Sequence, residues 1–403
     1  MKIGIYGGTF NPPHRGHMAA ARAAMETLKL DRLLLIPAGI PPHKVMPSGS
    51  ANAMQRLEMT RLAAESLGPN VEVLDLELHR EGKSFTSDTL AELKSRYPDD
   101  DLWLLMGTDM FLSFHTWHAP EEIADLAGIA AFSRSAGDTE EAFEAQRAAL
   151  YRVYPNARIF TMDIPELVEI SSTELRDLLS RGEGAGLLAP AVYGYILREG
   201  LYETREDLKH LPTAKLRPIA LSYLKHKRIP HVLGTEQEAI RLAIRYGGDV
   251  EKARRAALLH DCTKRLNLDA QLKLCRTYDV EIDEMERTSA ALLHSKTAAA
   301  IARYVFGEEE EVCSAIRFHT TGKENMTLLE KILYIADYIE PSRDFPGVAA
   351  LRKQVYEDLD RGVLMGLENT ITLTAQQGAD LHPNTLQARN FLRERIDTSR
   401  GEA

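Results

Sequence analysis

The sequence predicts two folds in succession: an α/β domain with a parallel, doubly wound sheet over residues 1–203, and an all-α domain over residues 204–403. A chain of 403 residues is too long for one ordinary hydrophobic core and favours two or three domains. Short apolar runs alternate with helical patterns as far as residue 203, whereas only helical periodicity remains beyond about residue 205. The boundary is placed at this change of period, because no Gly/Ser linker marks it.

The strands of the first domain are predicted from short apolar runs. These runs are KIGIYG, RLLLIPA, VEVLDLEL, DLWLLMG, GIAAFS and ARIFTMDI. Helical segments such as HMAAARAAMETLKL, NAMQRLEMTRLAAESL and SDTLAELKSRY lie between them. Strands that alternate with helices in this way favour a parallel sheet with helices on both faces.

The second domain is predicted to be helical throughout. Its clearest helical patterns are VEKARRAALLHDCTKRL, SAALLHSKTAAAIARYVF and LLEKILYIADYIEP. No run in this half has the length, the alternation and the flanking turns of a strand. We find no internal repeat or low-complexity tract in either half.

Composition and charge exclude several classes of function. Hydrophobic residues at 44% and charged residues at 27% are ordinary globular values. A net charge of -10 leaves no basic footprint for nucleic acid and no polybasic membrane patch. The apolar runs are far shorter than a membrane span, and the N-terminus enters a strand without a signal-peptide segment. We therefore expect a cytoplasmic protein without a nucleic-acid or membrane partner.

Three cysteines, Cys262, Cys275 and Cys313, are too few and too scattered for a disulfide framework or a thiolate zinc site. They are interpreted as small buried hydrophobic residues in a reducing compartment.

The stretch GGTFNPPHRGH at 7–17 follows the first strand and enters the first helix. Its glycines allow a ligand to approach the backbone, and the helix N-terminus offers free N–H groups to phosphate. His14 and His17 can donate hydrogen bonds to phosphate oxygens and neutralise charge on a leaving pyrophosphate. The other predicted contacts in this turn are Gly8, Thr9 and Phe10.

A second stretch, ISSTELR at 170–176, predicts another helix N-terminus directed at phosphate. Ser172 and Thr173 are suitable N-cap residues. Arg176 lies in the first turn, where its guanidinium can reach a phosphate oxygen.

These two stretches together resemble the HxGH and helix-start signatures of the nucleotidyltransferase superfamily. With PAGIPPHK, SFTSDTL and GTDMFLSFHTW, residues 1–203 resemble the nicotinate mononucleotide adenylyltransferase family. The resemblance implies a Rossmann-like domain that joins ATP and nicotinate mononucleotide into deamido-NAD and releases pyrophosphate. It also implies that Mg²⁺ accompanies ATP, held mainly by phosphates and water.

The same resemblance implies further site residues. Lys44 and Arg134 are expected to contact phosphates, and Thr86 the nicotinate carboxylate. Trp117 is expected to stack on the pyridine ring. Asp109, at a strand end, is expected to contact ribose or a metal-bound water.

The helical half carries a series of histidines and aspartates, most of which interrupt or end apolar helical faces. The series is His231, His260, Asp261, His294, His319 and Asp337. Unpaired imidazole or carboxylate is costly on such faces, and a bound metal would satisfy the whole series. These ligands suit Fe, Mn, Co or Zn, and they suffice for two metals with Asp261 as a bridge. The alternative is that His231 and His294 are core histidines and only His260, Asp261 and Asp337 bind one ion.

This series resembles the HD-domain phosphohydrolase superfamily, and residues 210–395 resemble its bacterial symmetrical diadenosine tetraphosphate hydrolases. The resemblance implies cleavage to two ADP at a di-iron site, with Asp261 as a catalytic residue and with Lys264 and Arg343 on the substrate phosphates. One departure is SKTA after His294, where a glycine is expected. Ser295 and Lys296 there could narrow the pocket or add a phosphate contact.

The sequence therefore favours a bifunctional enzyme that acts on ATP, nicotinate mononucleotide and diadenosine tetraphosphate or related nucleotides. One alternative keeps the transferase but changes the acceptor to phosphopantetheine, or to an alcohol phosphate with CTP. Another makes the helical half a nucleotide-sensing or dimerising module without turnover. The oligomeric state, a homo-oligomer included, and the exclusion of nicotinamide mononucleotide as a second acceptor stay open at this point.

Overall fold

The computed structural model describes residues 1–42, 45–133, 140–164 and 170–401. The chain divides into two compact units, Met1–Glu206 and Asp207–Ala403. The sequence places the boundary between residues 203 and 204. Each unit is described separately below.

The N-terminal unit contains a six-stranded sheet in which every neighbouring pair is parallel, in the order β3-β2-β1-β4-β5-β6. Its strands are β1 (Lys2–Gly8), β2 (Arg32–Pro37), β3 (Val71–Val73), β4 (Asp101–Gly107), β5 (Gly128–Phe132) and β6 (Ile159–Met162). This order is that of a doubly wound Rossmann-like sheet and confirms the predicted fold class.

Eight α-helices accompany this sheet in the described residues. They are α1 (Arg15–Leu28), α2 (Ala53–Ala64), α3 (Thr86–Arg96), α4 (Thr108–Leu112), α5 (Pro120–Leu126), α6 (Glu140–Val153), α7 (Ser172–Ser180) and α8 (Pro190–Glu199). The apolar strand residues pack against α3 and α5 in a continuous buried core that includes Ile5, Leu34, Leu104 and Ile129.

The prediction that VEVLDLEL forms one strand is wrong beyond its first three residues. Only Val71–Val73 pairs with the sheet, and Leu76–His79 forms a 3₁₀ turn. The alternation misleads because Glu77 is directed inward, where Thr89 Oγ1 donates to its carboxylate at 2.8 Å. A buried polar partner, not solvent, occupies the position that the strand pattern assigns to the exterior.

The order of the strands fixes where ligands can bind. The connections from β1 run to opposite sides of the sheet, so the carboxyl ends of β1 and β4 border a crevice. Gly8 pairs with Pro37 in register, so the loops after β1 and β2 leave the sheet side by side. Both loops carry residues of the predicted nucleotide site.

The C-terminal unit is helical, and no strand occurs in its described residues. Its helices are α9 (Thr213–Ser222), α10 (Ile229–Tyr246), α11 (Val250–Leu259), α12 (Leu268–Thr277), α13 (Glu284–Thr288), α14 (Ala290–Tyr304), α15 (Glu310–Phe318), α16 (Leu328–Ile339), α17 (Val348–Glu357), α18 (Leu359–Gln376) and α19 (Pro383–Gly401). Helix α10 packs on α11 and α16, and α15 packs on α11, α14 and α16. None of the helices in the described part of the chain is both long and apolar enough to cross a membrane.

Candidate functional site

A cavity of about 790 Å³ opens at the carboxyl ends of the strands in the N-terminal unit. Four helix N-termini border it, those of α1, α3, α4 and α7. The predicted residues that line it are Gly8, Thr9, Phe10, His14, His17, Thr86, Asp109, Trp117, Ser172 and Thr173. Free N–H groups and positive dipole ends therefore converge on one space, which suits a ligand with several phosphates.

The two histidines of the first motif are buried and lie against each other at the start of α1. His14 is the N-cap residue, and the ring centroids of His14 and His17 are 3.8 Å apart. The His14 backbone N–H donates to Nδ1 of His17 at 3.2 Å. Because Nδ1 of His17 accepts this bond, the ring proton of a neutral His17 lies on Nε2. His17 is therefore arranged as a hydrogen-bond donor.

Two neighbours of these histidines, Gly8 and Phe10, shape the turn. The Phe10 ring is buried and lies 5.2 Å from that of His17 in an edge-on contact. A Cβ at Gly8 would lie 3.1 Å from the Phe10 ring, a tight contact that requires this ring to shift slightly. Phe10 thus supports His17 in addition to lining the cavity.

The second motif begins α7, but its N-cap is Ser171, not Ser172 or Thr173 as predicted. Ser171 Oγ accepts from the backbone N–H of Glu174 at 3.1 Å, and Glu174 Oε2 accepts from the backbone N–H of Ser171 at 2.9 Å. This reciprocal capping box fixes the helix start one residue earlier. Ser172 and Thr173 are the first two helical residues and still line the cavity.

Arg176 joins the two motifs, although they are far apart in the sequence. Its Nη1 donates to the Asn11 carbonyl oxygen at 2.9 Å and to that of Ser172 at 3.1 Å. Its Nη2 donates to Thr173 Oγ1 at 3.1 Å. The structure therefore places the predicted arginine beside the HxGH turn.

Arg56, which was not predicted as a site residue, connects two loops of the cavity. Its side chain is fully buried, and it donates from Nη1 to the Thr9 carbonyl at 2.8 Å and from Nη2 to the Gly39 carbonyl at 2.9 Å. Glu77 was also missed, and it lines the cavity. Burial raises the pKa of Glu77 to about 7, against the lowering effect of its hydrogen bonds with Thr89 and Ser84.

The far end of the cavity is aromatic. Trp117 lines it and packs on Phe114 with ring centroids 5.6 Å apart. Asp109 lies in the first turn of α4, directly after β4. The predicted phosphate contacts Lys44 and Arg134 lie outside the described residues.

In the C-terminal unit, the predicted histidines and aspartates all converge on the carboxylate of Asp261. His294 Nε2 lies 3.1 Å and His319 Nε2 3.9 Å from its Oδ1. His260 Nε2 and His231 Nε2 lie 3.6 Å and 3.9 Å from its Oδ2. The four imidazoles therefore form two pairs, and each pair lies next to one oxygen of the Asp261 carboxylate.

Asp337 completes the Oδ2 side of this cluster. Its Oδ1 lies 2.9 Å from His231 Nε2 and 4.0 Å from His260 Nε2. His231, His260 and Asp337 can offer their ligand atoms to one metal ion, as can His260, Asp261 and His319.

The Nδ1 atoms of all four histidines are used for orientation. Those of His260, His294 and His319 donate to the carbonyl oxygens of residues three positions earlier, at 2.6 to 2.7 Å. His231 Nδ1 donates to Glu340 Oε1 at 3.1 Å. This pattern is typical of metal-binding histidines, because it leaves each Nε2 lone pair directed at the cluster.

The protonation states of the cluster also suit a metal. Burial lowers the pKa of His294 and of His319 to about 4, and it lowers the pKa of His260 as well. Burial alone would raise the pKa of Asp261, but His260, His294 and Arg228 hold it well below its ordinary value. Neutral imidazoles and ionised carboxylates are the forms that bind metal ions.

The Nε2 atoms are arranged so that a cation could lie between them. Those of His294 and His319 lie only 3.1 Å apart, and with both Nδ1 atoms protonated their lone pairs face each other. His260 Nε2 is buried without a hydrogen-bond partner in the described structure. The residues present therefore fit divalent metal binding.

Three cationic side chains border the cluster. Lys264 Nζ lies 3.2 Å from His294 Nε2, and Arg343 Nη2 donates to Asp337 Oδ1 at 3.0 Å, so both predicted phosphate contacts lie at the site. Arg228, which the sequence analysis missed, contacts Asp261 Oδ2 through its Nε. It stands in the run KHKRIP, which reads as ordinary exposed charge.

Ser295 and Lys296, which stand where the resemblance predicts a glycine, form their hydrogen bonds away from the cluster. Lys296 Nζ donates to Glu286 Oε2 at 2.5 Å and to the Glu281 carbonyl at 3.0 Å, so it is engaged outside the cluster. Ser295 Oγ donates to the Leu292 carbonyl at 3.0 Å. In this arrangement Lys296 does not supply the phosphate contact that its position suggested.

Another group of potential ligands, Asp283, Glu286 and His382, is internally satisfied. His382 Nε2 donates to Asp283 Oδ2 at 2.8 Å, while its Nδ1 accepts from the Asn384 N–H at 3.2 Å. We interpret this group as a hydrogen-bonded cluster that fastens the start of α19 to the start of α13. The three cysteines are free and buried, as predicted.

Comparison with known proteins places both sites in families. The cytidylyltransferase-like family model matches residues 5–178, and the HD domain model matches residues 228–342. A probable nicotinate-nucleotide adenylyltransferase of Exiguobacterium sibiricum is 37% identical over 205 residues, which cover 51% of this chain and all of that protein. A protein of the same name from Dictyoglomus thermophilum is 40% identical over 203 residues, 50% of this chain and again all of the relative.

Solved structures resemble each half. One described as a predicted HD superfamily hydrolase involved in NAD metabolism, from Clostridium acetobutylicum, is 44% identical and covers 46% of this chain and 98% of its own, with a TM-score of 0.45. The Plasmodium falciparum nicotinic acid mononucleotide adenylyltransferase complexed with NaAD is 19% identical and covers 51% of this chain and 98% of its own, with a TM-score of 0.43.

Proposed function

We propose two activities for this chain, which belongs through its N-terminal half to the nicotinate-nucleotide adenylyltransferase family and carries an HD domain in its C-terminal half. The first activity transfers the adenylyl group of ATP to nicotinate mononucleotide, giving deamido-NAD and pyrophosphate. One observation supports it above the others: the helices of both motifs begin at the same cavity.

The transfer is an in-line displacement at the α-phosphate of ATP. A phosphate oxygen of nicotinate mononucleotide forms the new P–O bond, and the bond to the β-phosphate oxygen breaks as pyrophosphate leaves. His17 donates from Nε2, His14 adds a second imidazole, and the α1 and α7 N-termini stabilise the charge that develops on the leaving group. Mg²⁺ that accompanies ATP supplies further neutralisation of the phosphates.

The acceptor occupies the aromatic end of the cavity in this proposal. Trp117 offers a flat face to the pyridine ring, and Thr86, at the first position of α3, lies where a carboxylate can be bound. These two features favour a nicotinate acceptor over phosphopantetheine or an alcohol phosphate.

The test is turnover of ATP with a set of acceptors, measured as pyrophosphate release and as dinucleotide formed. We expect dinucleotide only with pyridine mononucleotides, and a loss of roughly 100-fold or more in kcat for His17→Ala. Turnover with phosphopantetheine or with CTP and an alcohol phosphate, and none with nicotinate mononucleotide, would overturn this assignment.

The second activity is metal-dependent symmetrical hydrolysis of diadenosine tetraphosphate: one water cleaves the central phosphoanhydride and gives two ADP. The cluster supports it because Asp261 offers one oxygen to each pair of histidines, as expected of a carboxylate that bridges two metals. His231, His260, Asp337 and Asp261 would hold one ion, and His294, His319 and Asp261 the other. Bound divalent metals supply Lewis-acid activation of water and phosphate.

The remaining chemistry falls to the cationic border of the cluster. Arg228, Lys264 and Arg343 lie around the carboxylates, where they can bind the tetraphosphate and neutralise charge on the departing ADP. A net charge of -10 on the whole chain does not prevent this, since the positive groups are local.

The test for this activity uses the metal-stripped full chain with Fe²⁺, Mn²⁺ or Mg²⁺ added back. We expect metal-dependent release of ADP alone, abolished by Asp261→Asn and retained by His17→Ala. The transferase reaction should show the opposite pattern in the same two variants. AMP with ATP as products would indicate a different hydrolase class, and no turnover with any metal would favour a nucleotide-sensing module.

A further inference from the structure

A buried tyrosine near the end of the N-terminal unit is hydrogen-bonded to the HxGH turn. The Tyr202 hydroxyl donates to Asn11 Oδ1 at 2.8 Å, and both residues are buried. Asn11 stands in the turn between β1 and α1, shortly before His14. Neither Asn11 nor Tyr202 is among the described residues that line the cavity. The contact therefore lies behind the surface that faces the substrates.

Three separate side chains hold Asn11 in place. Its Oδ1 accepts from Tyr202, its Nδ2 donates to Ser50 Oγ at 3.0 Å, and its backbone carbonyl accepts from Arg176 Nη1 at 2.9 Å. Because the oxygen and the nitrogen of the carboxamide have different partners, this group has one preferred orientation. Burial raises the pKa of Tyr202, so its hydroxyl stays protonated and remains the donor.

The position of Asn11 affects both histidines of the motif. Asn11 follows Phe10, whose ring lies 5.2 Å from that of His17 in an edge-on contact. The backbone at Phe10 turns sharply, with a φ of 48°. A shift of the Asn11 backbone would therefore move the ring that supports His17 and the segment that leads to His14. The hydrogen bonds at Asn11 oppose such a shift.

The backbone at Tyr202 adopts an unfavourable conformation at this contact. Tyr202 has φ 56° and ψ 40°, and Glu203 follows with φ 63°. Two successive non-glycine residues in the left-handed region persist only where surrounding contacts stabilise them. The segment Leu201–Glu203 packs on α7, and the Tyr202 hydroxyl lies 3.9 Å from Met59 Sδ. These contacts hold the hydroxyl at Asn11.

We propose that Tyr202 is a positioning residue for adenylyl transfer, which acts through Asn11 to fix the turn that carries His14 and His17. This inference rests on the proposed transferase activity and adds to it a residue outside the cavity. Without the hydroxyl, Asn11 Oδ1 would be buried without its donor, and the turn would relax towards other partners. The histidines would then be misplaced relative to the charge that develops on the leaving pyrophosphate.

The loss should appear in kcat and not in KM. His14 and His17 are proposed to act on charge that develops in the transition state, so their misplacement lowers kcat. The Michaelis constants for ATP and nicotinate mononucleotide should change little, because the N-termini of α3, α4 and α7 still border the cavity. For removal of the Tyr202 hydroxyl we expect a fall in kcat of roughly 10-fold.

The experiment uses the full chain with two tyrosine variants, each made in the parent and in a His17→Ala background. Tyr202→Phe keeps the ring and removes only the hydroxyl. Tyr151→Phe is the matched control, because Tyr151 is exposed on α6. Tyr202→Phe should lower kcat by roughly 10-fold in the parent and by roughly 3-fold or less once His17 is absent. Tyr151→Phe should leave kcat unchanged in both backgrounds.

Equal losses of kcat from Tyr202→Phe in the two backgrounds, or a loss of thermal stability alone, would overturn the inference and leave the proposed reaction intact. Nitrogen-15 NMR of the imidazole rings, assigned with His14→Ala and His17→Ala, gives a readout without turnover. The His14 and His17 signals should shift in Tyr202→Phe and not in Tyr151→Phe, and unchanged signals would contradict positioning. Absence of dinucleotide formation by the parent chain would overturn the proposed reaction, whereas the NMR comparison would still test the contact.

Discussion

Glu340 Oε1 accepts a hydrogen bond from His231 Nδ1 at 3.1 Å, so one imidazole of the cluster around Asp261 is oriented by a carboxylate and the other three by backbone carbonyls. Glu340 is itself fully buried and accepts from the Ser342 backbone N–H at 2.7 Å. Burial opposes its ionisation, but its hydrogen bonds with Ser342 and His231 hold the pKa of Glu340 below its ordinary value. A charged partner at Nδ1 makes Nε2 of His231 a stronger ligand.

The first prediction concerns this carboxylate. Glu340→Gln keeps the shape of the side chain but removes its charge, and it should weaken Mn²⁺ binding by roughly 10–100-fold. Calorimetric titration of the metal-stripped chain with Mn²⁺ measures this. Glu357→Gln is the control, because Glu357 pairs with Lys353 at an exposed position of α17. Equal Mn²⁺ affinity in the two variants would contradict a role for Glu340 in orienting His231.

The second prediction concerns Gly234, which allows α10 to approach Glu340. A Cβ at this position would lie 2.5 Å from Glu340 Oε2 and 3.4 Å from Pro341 Cδ. Glycine to alanine inside an exposed helix stabilises by about 0.5–1 kcal/mol, but here we expect Gly234→Ala to destabilise by roughly 1–3 kcal/mol. Chemical unfolding followed by far-UV circular dichroism measures the change. Adding Glu340→Ala should recover part of the loss, and two additive penalties would contradict the contact.

The third prediction is a pH dependence that arises from Glu77. Its pKa is about 7 in the folded chain against an ordinary 4.5, chiefly because it is buried. The folded state therefore binds the proton more tightly, and stability falls as pH rises from about 4.5 through about 7. Glu77→Gln cannot ionise, so its stability relative to the parent should increase over this range, by roughly 1–3 kcal/mol at pH 8.

Tryptophan fluorescence isolates this effect, since both tryptophans, Trp103 and Trp117, lie in the N-terminal unit. Urea unfolding at pH 5.5 and at pH 8 gives the two free energies. The exposed Glu26→Gln variant should track the parent at both values. A constant difference between Glu77→Gln and the parent across this range would show that Glu77 is already ionised at pH 5.5.

The motif residues could be predicted from sequence because their chemistry is visible in short spacing. His14 and His17 stand three apart after two glycines, and the C-terminal histidines interrupt apolar helical faces. Arg56 could not be predicted in this way, since an isolated arginine in a helical segment is usually a solvent-exposed charge. Its role depends on the Thr9 and Gly39 carbonyls, which only the folded sheet brings to it.

Glu77 and Arg228 were missed for the same physical reason. Glu77 stands in an alternating run, and Arg228 stands in a run of basic residues. The identity of their partners, Thr89 for Glu77 and Asp261 for Arg228, is a tertiary property. The exact start of α7 was also hard to predict. SST offers three capping hydroxyls in a row, and only Ser171 has a glutamate three residues later.

The last prediction concerns Arg176, whose guanidinium spans from Ser172 to the Asn11 carbonyl. Arg176→Lys keeps the charge but loses the planar guanidinium. A single ammonium cannot hydrogen-bond to the carbonyls of both motifs and bind a phosphate at the same time. We expect kcat for dinucleotide formation to fall by roughly 10–100-fold, with a smaller change in KM for nicotinate mononucleotide.

Arg181→Lys is the matched control for this variant, since Arg181 follows the same helix but pairs with Asp177 at an exposed position. Steady-state kinetics with ATP varied at saturating acceptor separates the two constants. If Arg176→Lys retained full kcat and lost only thermal stability, the arginine would act as a brace between the motifs and not as a phosphate ligand. A kcat loss at unchanged stability would instead place its guanidinium at the transferring phosphate.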